Sequence, residues 1–317
     1  MFKKLFGGFK KEQPVNAPLA IDLSLGYARL PEFASYLTKS NYSQFEEEYQ
    51  KLSWDAKTLL SDGLGLNKEY APAIDRWVKA QPGSATANLF AGVSKTALAW
   101  LARTAALGKN VSEDNAQKFF NYLSEADAYL SKADEIDPEN AEVCARIIRV
   151  FMGLGAGEDA AMSYFNAAAE LEPCHLMAHL MMINYLNPKW GGSIEKMHDF
   201  ANDRIEATGN SLLITLKLFA IVEEWLYYSM NGENTKHRSF FSDTNLQATV
   251  NELYKNYIEE PDGALLIPYV YNYFSFIFWQ MKNKEVAREI IKKIPGKLTV
   301  YPWAYEGVES NAQLQNL

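Results

Sequence analysis

DPENAEVCARIIRVFMGLGAGEDAAMSYFNAAAELEPCHLMAHLMMINYLNPKWGGS, residues 137–193, contains most of an internal repeat whose period decides the fold. Pro138 and Pro173 stand 35 residues apart. Each proline follows an alanine, a bulky apolar residue and a second alanine that lie 12, 8 and 5 residues upstream. These residues are Ala126, Leu130 and Ala133 before the first proline, and Ala161, Phe165 and Ala168 before the second.

This spacing has a physical meaning for helix packing. Two small residues seven apart on one helix face let a neighbouring helix approach closely, and the bulky residue between them fills the remaining space. Proline then ends the unit because it cannot continue a helix. Tetratricopeptide repeats have this pattern and a period of about 34 residues. The sequence therefore predicts an all-α, tetratricopeptide-like antiparallel helix-pair solenoid.

Helical signals also organise the rest of the chain. We expect a flexible basic N-terminal tail over residues 1–16, tetratricopeptide-like repeats over 17–209, and a C-terminal helical extension over 210–317 that packs on the same solenoid. Residues 264–281 carry no formal charge. Their proline, asparagine, serine and glutamine favour a buried helix over a membrane span, which needs about 20 apolar residues.

Charge and composition restrict the partners. The net charge is -8, but Lys3, Lys4, Lys10 and Lys11 leave -12 for the remainder. An acidic body argues against nucleic acid as a partner, because duplex binding needs a basic face. The basic start lacks the apolar run of a secretory signal, so we expect a cytoplasmic protein; membrane contact through this tail is an alternative.

Arg103, Pro138, Pro173 and the turn at residues 188–193 together resemble an uncharacterised bacterial family of tetratricopeptide-like proteins with a Pro-Lys/Arg-Trp-Gly-Gly-Ser segment. The resemblance covers about residues 53–200. It implies helical hairpins ahead of that segment. The family has no established activity, so the resemblance bears on the fold and not on a reaction; its domain is one of unknown function.

The first helix of each tetratricopeptide pair usually lines a concave surface that binds partner peptides. This geometry selects Arg146, Leu180, Asn184 and Asn187 as groove candidates. Arg149 joins them, because two arginines three apart on a helix can hold a carboxylate through forked hydrogen bonds. The alternative is that both arginines pair with acids such as Glu142 or Asp159.

The turn Trp190-Gly191-Gly192-Ser193 has a structural and a functional interpretation. Structurally, the indole fills a gap between helices, the glycines adopt backbone angles closed to other residues, and Ser193 caps the next helix. Functionally, a helix N-terminus behind two glycines could receive an anion. We favour the structural interpretation because no lysine follows the glycines as in a phosphate loop.

No motif indicates a cofactor, a metal or a catalytic residue. His175 and His179 share a helix face beside Cys174, but the sequence lacks a His-Glu-x-x-His motif, so we predict no metal site. The glycines at 153, 155 and 157 follow no strand, as a dinucleotide loop would require.

The sequence thus favours a non-enzymatic protein–protein interaction scaffold that binds a partner protein or peptide on its concave face. Three alternatives remain open at this stage: an enzyme with scattered residues in a polar cavity, an immunity-type inhibitor of a bacterial toxin, and a membrane-peripheral scaffold.

Overall fold

The computed structural model of the chain describes residues 21–103, 111–257 and 264–308, and all regular structure within these ranges is helical. The all-α prediction is confirmed. The predicted tail, residues 1–16, lies outside the described residues. Contacts divide the chain into two units: a first unit, Gly26–Tyr185, and a second unit, Leu186–Leu317 together with Met1–Leu25.

The first unit begins with short helices and continues with longer hairpins. Its helices are α1 Leu30–Thr38, α2 Tyr42–Gln50, α3 Trp54–Leu60, α4 Ala71–Ala80, α5 Ala85–Arg103, α6 Glu113–Ile136, α7 Ala141–Leu154, α8 Glu158–Leu171 and α9 Leu176–Tyr185. A π-helical turn, Ser61–Gly65, continues α3. Helix α5 packs along α6, α7 along α8, and α9 on both α7 and α8.

The residues of the repeat are placed as their spacing predicts. Ala126, Leu130 and Ala133 on α6, and Ala161, Phe165 and Ala168 on α8, are all buried. Gly92 of α5 meets Leu130, where an added Cβ would lie 2.5 Å from the leucine Cγ. A small residue against a bulky one therefore sets the close approach of α5 and α6.

Local sequence explains where the helices of these hairpins start and stop. The side chain of Ser112 accepts a hydrogen bond from the backbone N–H of Asn115, and that of Asn140 accepts one from Val143. These caps satisfy backbone donors at the starts of α6 and α7. Helix α7 ends at Gly155, whose φ of 69° is the left-handed angle that glycine adopts most easily.

The second unit is also helical. Its helices are α10 Ile194–Thr208, α11 Ile214–Met230, α12 Asn234–Ser239, α13 Thr244–Asn256, α14 Ile267–Gln280 and α15 Lys284–Lys292, with short 3₁₀ turns at Pro188–Trp190, Ser211–Leu213, Phe240–Ser242 and Trp303–Glu306. Helix α11 packs on α10 and α14, and α14 packs on α15. Helix α10, which falls within the predicted repeats at 17–209, thus belongs to the second unit.

Helix α14 is the charge-free segment, and it is buried as predicted. Two of its polar side chains form internal hydrogen bonds: Asn272 donates to the carbonyl of Pro268 and accepts from the indole N–H of Trp303, and the hydroxyl of Ser275 donates to the carbonyl of Ala287. None of the described helices combines the length and the apolar composition that a membrane span requires.

Candidate functional site

Arg146, the first groove candidate, is buried and not open to a partner. Its side chain is 4% exposed, and the guanidinium forms ion pairs with Asp62 at 2.8 Å and Glu142 at 2.6 Å. The expectation that Arg146 faces a binding groove is therefore wrong. The alternative of a pair with Glu142 is correct, although the pair lies in the interior and not on the solvated surface.

The cover over Arg146 is the chain's own α3 and its π-helical turn. Residues 56–65 are all buried. The Thr58 hydroxyl donates to Glu142 at 2.7 Å, and Asp62 on the π turn accepts from Arg146 at 2.8 Å. This segment therefore occupies the face of α7 on which the sequence predicts a peptide.

The two carboxylates that pair with Arg146, those of Glu142 and Asp62, have pKa values shifted in opposite directions. Burial by itself raises the pKa of Glu142, but Arg146, His175 and Thr58 outweigh that effect, so the pKa lies below its usual range. Burial dominates for Asp62, whose pKa is raised despite Arg146. Because a single positive charge compensates only one carboxylate fully, Glu142 holds its charge more firmly than Asp62.

His175 and His179 are engaged in the interior. His175 is 2% exposed; its Nδ1 accepts from the backbone N–H of Ala178, and its Nε2 lies 3.3 Å from Glu142. The ring of His179 lies 3.0 Å from the carbonyl oxygen of His175. Within the described ranges, no three His, Cys, Asp or Glu side chains are arranged to hold a metal ion.

Arg149 has different surroundings from Arg146, one turn away. Its guanidinium carbon lies 5.4 Å from the ring centroid of Trp100 on α5. Arg103 of α5 lies over the same ring at 5.6 Å and over Phe119 of α6 at 5.9 Å. Two arginines from different helices therefore share one indole.

Apolar side chains adjoin this pair of arginines. Trp100 and Phe119 have ring centroids 5.2 Å apart, and Phe119 and Phe120 are 5.3 Å apart. Leu101 is 59% exposed and Phe120 is 48% exposed. We call this set, Trp100, Leu101, Arg103, Phe119, Phe120 and Arg149, the arginine–aromatic surface.

A glycine lets α7 approach this surface closely. An added Cβ at Gly153 would lie 2.5 Å from Leu123 and 3.1 Å from Phe119. The C-terminal end of α7, which carries Arg149, is thereby held against α5 and α6. The three helices together fix the positions of the two guanidiniums.

The other groove candidates are buried or partly buried. Leu180 is 7% exposed and belongs to the core. Asn184 is half-buried and donates to the sulfur of Met152 at 3.6 Å. Asn187 is 3% exposed and donates to Glu223 at 2.7 Å, so its amide holds α11 instead of facing a groove.

The turn Trp190-Gly191-Gly192-Ser193 matches much of its structural interpretation. Trp190 is half-buried. Gly191 has a φ of 95°, and Ser193 accepts from the backbone N–H of Lys196 at the start of α10. Gly192 is needed for a different reason than predicted: an added Cβ would overlap the carbonyl of Leu186.

Glu223, which no sequence pattern singles out, holds this turn in place. The carboxylate is 3% exposed and accepts hydrogen bonds from the Asn187 amide at 2.7 Å, the Lys189 ammonium at 2.9 Å and the Tyr305 hydroxyl. It therefore links the turn, α11 and the last 3₁₀ turn of the second unit.

Beside the turn, the second unit has an open pocket of about 590 Å³ lined by residues that include Ser193, His198, Glu224 and Tyr227. His198 Nε2 lies 2.9 Å from Glu224, which also accepts from the Tyr228 hydroxyl. Burial alone would raise the pKa of Glu224, but these hydrogen bonds outweigh it and lower the pKa. The carboxylate thus fixes the orientation of the imidazole ring.

Comparison of the chain with protein-family models, with curated proteins and with solved structures gives no match.

Proposed function

We propose that this protein is a protein–protein interaction scaffold: a tetratricopeptide-like array of helical hairpins that binds a partner protein or peptide and catalyses no reaction. The hairpins α5–α6 and α7–α8, the helix α9 that packs on the second of them, and the buried repeat residues support this proposal. In such arrays the first helix of each hairpin lines the binding surface.

The observation that carries the proposal is the arginine–aromatic surface. Leu101 is 59% exposed and Phe120 is 48% exposed, and the guanidiniums of Arg103 and Arg149 lie over the ring of Trp100. Exposed apolar residues next to arginine and tryptophan are the composition of binding hot spots. The proposed contact is therefore this surface, which includes Arg149 but not the buried Arg146.

The buried charged cluster of Asp62, Glu142 and Arg146 supports a structural role for these residues. Glu142 accepts from Thr58 and Arg146, His175 Nε2 lies 3.3 Å from the same carboxylate, and Arg146 also donates to Asp62. Groups that satisfy one another in the interior stabilise a fold and leave no position for a substrate. Binding at an exposed surface accounts better for this arrangement than catalysis does.

Partner capture from the native cell tests this proposal. The full chain is compared with a Leu101→Ser, Phe120→Ser double variant, which removes exposed apolar area. Ile136→Ser is the matched control, because Ile136 is a 39% exposed apolar residue at the far end of α6. We expect a specific partner to bind wild type and the control but not the double variant. Retention by the double variant would refute the assignment of the surface, and the absence of any specific partner would refute the scaffold.

A further inference from the structure

We propose that Asn231 is a site of spontaneous deamidation, and that its conversion to aspartate and isoaspartate loosens the junction between α11 and α12. Asn231 is followed by Gly232, and this is the one Asn-Gly pair in the sequence. Both residues are exposed, and they separate the end of α11 at Met230 from Glu233, the residue before α12. The junction therefore combines an asparagine, a following glycine and contact with solvent.

The reaction needs no enzyme and no reagent except water. The backbone nitrogen of Gly232 attacks the side-chain carbonyl carbon of Asn231, and the new C–N bond closes a succinimide ring. The bond from that carbon to the amide nitrogen breaks, and this nitrogen leaves as ammonia with the proton of the Gly232 N–H. Water then opens the ring at either carbonyl. The product is aspartate or, where the backbone now runs through the side chain, isoaspartate.

Glycine at the following position removes the main steric barrier to this attack. A residue with a Cβ shields its own backbone nitrogen and restricts the backbone angles from which that nitrogen can reach the asparagine. Gly232 has a φ of 77°. A Cβ added there would have no described residue within 4 Å apart from its neighbours in the chain. Gly232 is therefore crowded neither by a side chain of its own nor by another part of the fold.

The hydrogen bonds that hold this pair in place are local. The amide of Asn231 donates to the carbonyl of Tyr227 at 2.9 Å, and the N–H of Gly232 donates to the carbonyl of Ser229 at 3.3 Å. The second distance exceeds the usual value of about 2.9–3.0 Å for such a bond. Asn231 has a ψ of 7°, so its backbone must also rotate before the nitrogen reaches the side-chain carbon. The barrier added by the fold is thus the fraying of one helix end, where a helix opens most easily.

The junction between α14 and α15 has the same backbone hydrogen-bond pattern without an Asn-Gly pair. There Lys282 takes the place of Gly232, with a φ of 67° beside 77°. The next residue, Asn283, is exposed and is followed by Lys284, whose side chain hinders attack by its own backbone nitrogen. Asn283 is therefore an internal control, because it is an exposed asparagine at an equivalent junction that lacks the glycine.

Deamidation removes a donor and adds a negative charge at the C-terminal end of α11. The amide that donates to the carbonyl of Tyr227 becomes a carboxylate, which cannot donate. A carboxylate is also unfavourable at the negative end of a helix dipole. Isoaspartate adds a methylene group to the backbone, which disturbs the spacing that lets the N–H of Glu233 reach the carbonyl of Tyr228 at 2.9 Å. The last turn of α11 is therefore weakened by both products.

This turn carries side chains that contact the open pocket. Tyr227 lines the pocket, and the hydroxyl of Tyr228 donates to Glu224 at 2.9 Å. Helix α12 packs on the same end of α11, because the ring of His237 stacks on that of Trp225 with centroids 4.6 Å apart. The conversion of Asn231 therefore alters the edge of the pocket and the packing of α12.

Peptide mapping of the full-length protein after incubation at physiological temperature tests the chemistry. Samples are kept at neutral and at mildly alkaline pH and are digested under acid conditions, so that the digestion itself forms no product. We expect the Asn231 peptide to exchange its amide NH₂ for OH, and to do so faster at the higher pH because the attacking nitrogen must lose its proton. The Asn283 peptide should stay unchanged over the same period. An unchanged Asn231 peptide, or equal conversion of both peptides, would overturn the proposal.

Variants test the role of each residue of the pair. Asn231→Gln should abolish the product, because its longer side chain closes the corresponding ring far more slowly. Gly232→Ala, at a backbone angle close to that of Lys282, should slow product formation. Product formation in Gly232→Ala at the wild-type rate would refute the role assigned to the glycine.

Hydrogen exchange, followed by mass spectrometry, tests the loosening separately. Aged wild type should lose protection over residues 226–239, and fresh Asn231→Asp should lose part of it because it reproduces the charge without the longer backbone. Aged Asn231→Gln should keep its protection, which controls for other damage during incubation. Equal protection in aged and fresh wild type, with the deamidated product present, would refute the structural consequence.

Discussion

Arg146 and Arg149 lie three residues apart on α7, and their guanidiniums are held by opposite kinds of partner. Arg146 is closed in by the carboxylates of Asp62 and Glu142, at 2.8 and 2.6 Å. Arg149 is half-buried over the indole of Trp100. One helix thus carries one arginine that holds the interior together and one that borders an exposed surface.

Replacement of these two arginines by methionine should therefore have unequal effects on stability. Arg146→Met leaves two buried carboxylates without their positive charge, and we expect a loss of about 3–5 kcal/mol in the free energy of unfolding. Arg149→Met removes a cation over a ring and should cost about 1 kcal/mol or less. Urea unfolding measures both values. Equal losses would contradict the assignment of separate roles.

The buried carboxylates predict a pH dependence of stability. The pKa of Glu142 in the folded chain lies below its ordinary value of 4.5, so the folded state binds this proton more weakly than the unfolded state does. Its contribution is present above pH 4.5 and is lost as pH falls towards the folded pKa. The difference in unfolding free energy between wild type and Glu142→Gln should therefore shrink under acid conditions.

Asp62 should behave in the opposite way. Burial raises its pKa, so the ionised form is disfavoured in the folded state, and wild type should gain stability relative to Asp62→Asn as pH falls through that raised value. At neutral pH, Asp62→Asn should destabilise less than Glu142→Gln. Urea titrations across the acid range compare the two variants directly, and parallel pH profiles would show that the two carboxylates share the guanidinium equally.

Sequence reasoning found the hairpins because their determinants are local. Ala126, Leu130 and Ala133 precede a proline at fixed offsets, and both the helix period and the small-residue spacing can be read from one short stretch. The position of Ser193 after two glycines likewise predicts a helix cap, and Ser193 caps α10.

The contacts of the candidate site could not be predicted from the sequence, because they join residues that are distant along the chain. Asp62 and Arg146 are 84 residues apart, and nothing near either residue indicates that the π turn covers α7. Leu101 is an apolar residue of α5, yet it is 59% exposed. Whether a helical position faces the core or solvent at a hairpin end depends on its neighbours, which the period alone does not specify.

The two glycines of the turn should differ in their tolerance of alanine. Gly191→Ala meets open space but must adopt a φ of 95°, which should cost about 1 kcal/mol. Gly192→Ala places a methyl group into the backbone of Leu186, so the turn must shift, and we expect a loss of about 2–3 kcal/mol. Chemical unfolding of each variant, followed by tryptophan fluorescence, checks the order. A larger loss for Gly191→Ala would mean that backbone angle, and not close approach, controls this turn.

Glu223 should act as the central acceptor that joins three segments of the second unit. Glu223→Gln puts an NH₂ group among the donors of Asn187, Lys189 and Tyr305, and we expect a loss of about 2–3 kcal/mol in the free energy of unfolding. Tyr305→Phe removes one donor and should cost about 1 kcal/mol. Because both changes break the same hydrogen bond, the double variant should lose less than the sum of the single losses.

Glu206→Gln, which changes an exposed acid on α10, is the matched control and should leave stability unchanged. Additive losses from Glu223→Gln and Tyr305→Phe would contradict this account by showing that the carboxylate and the phenol act independently.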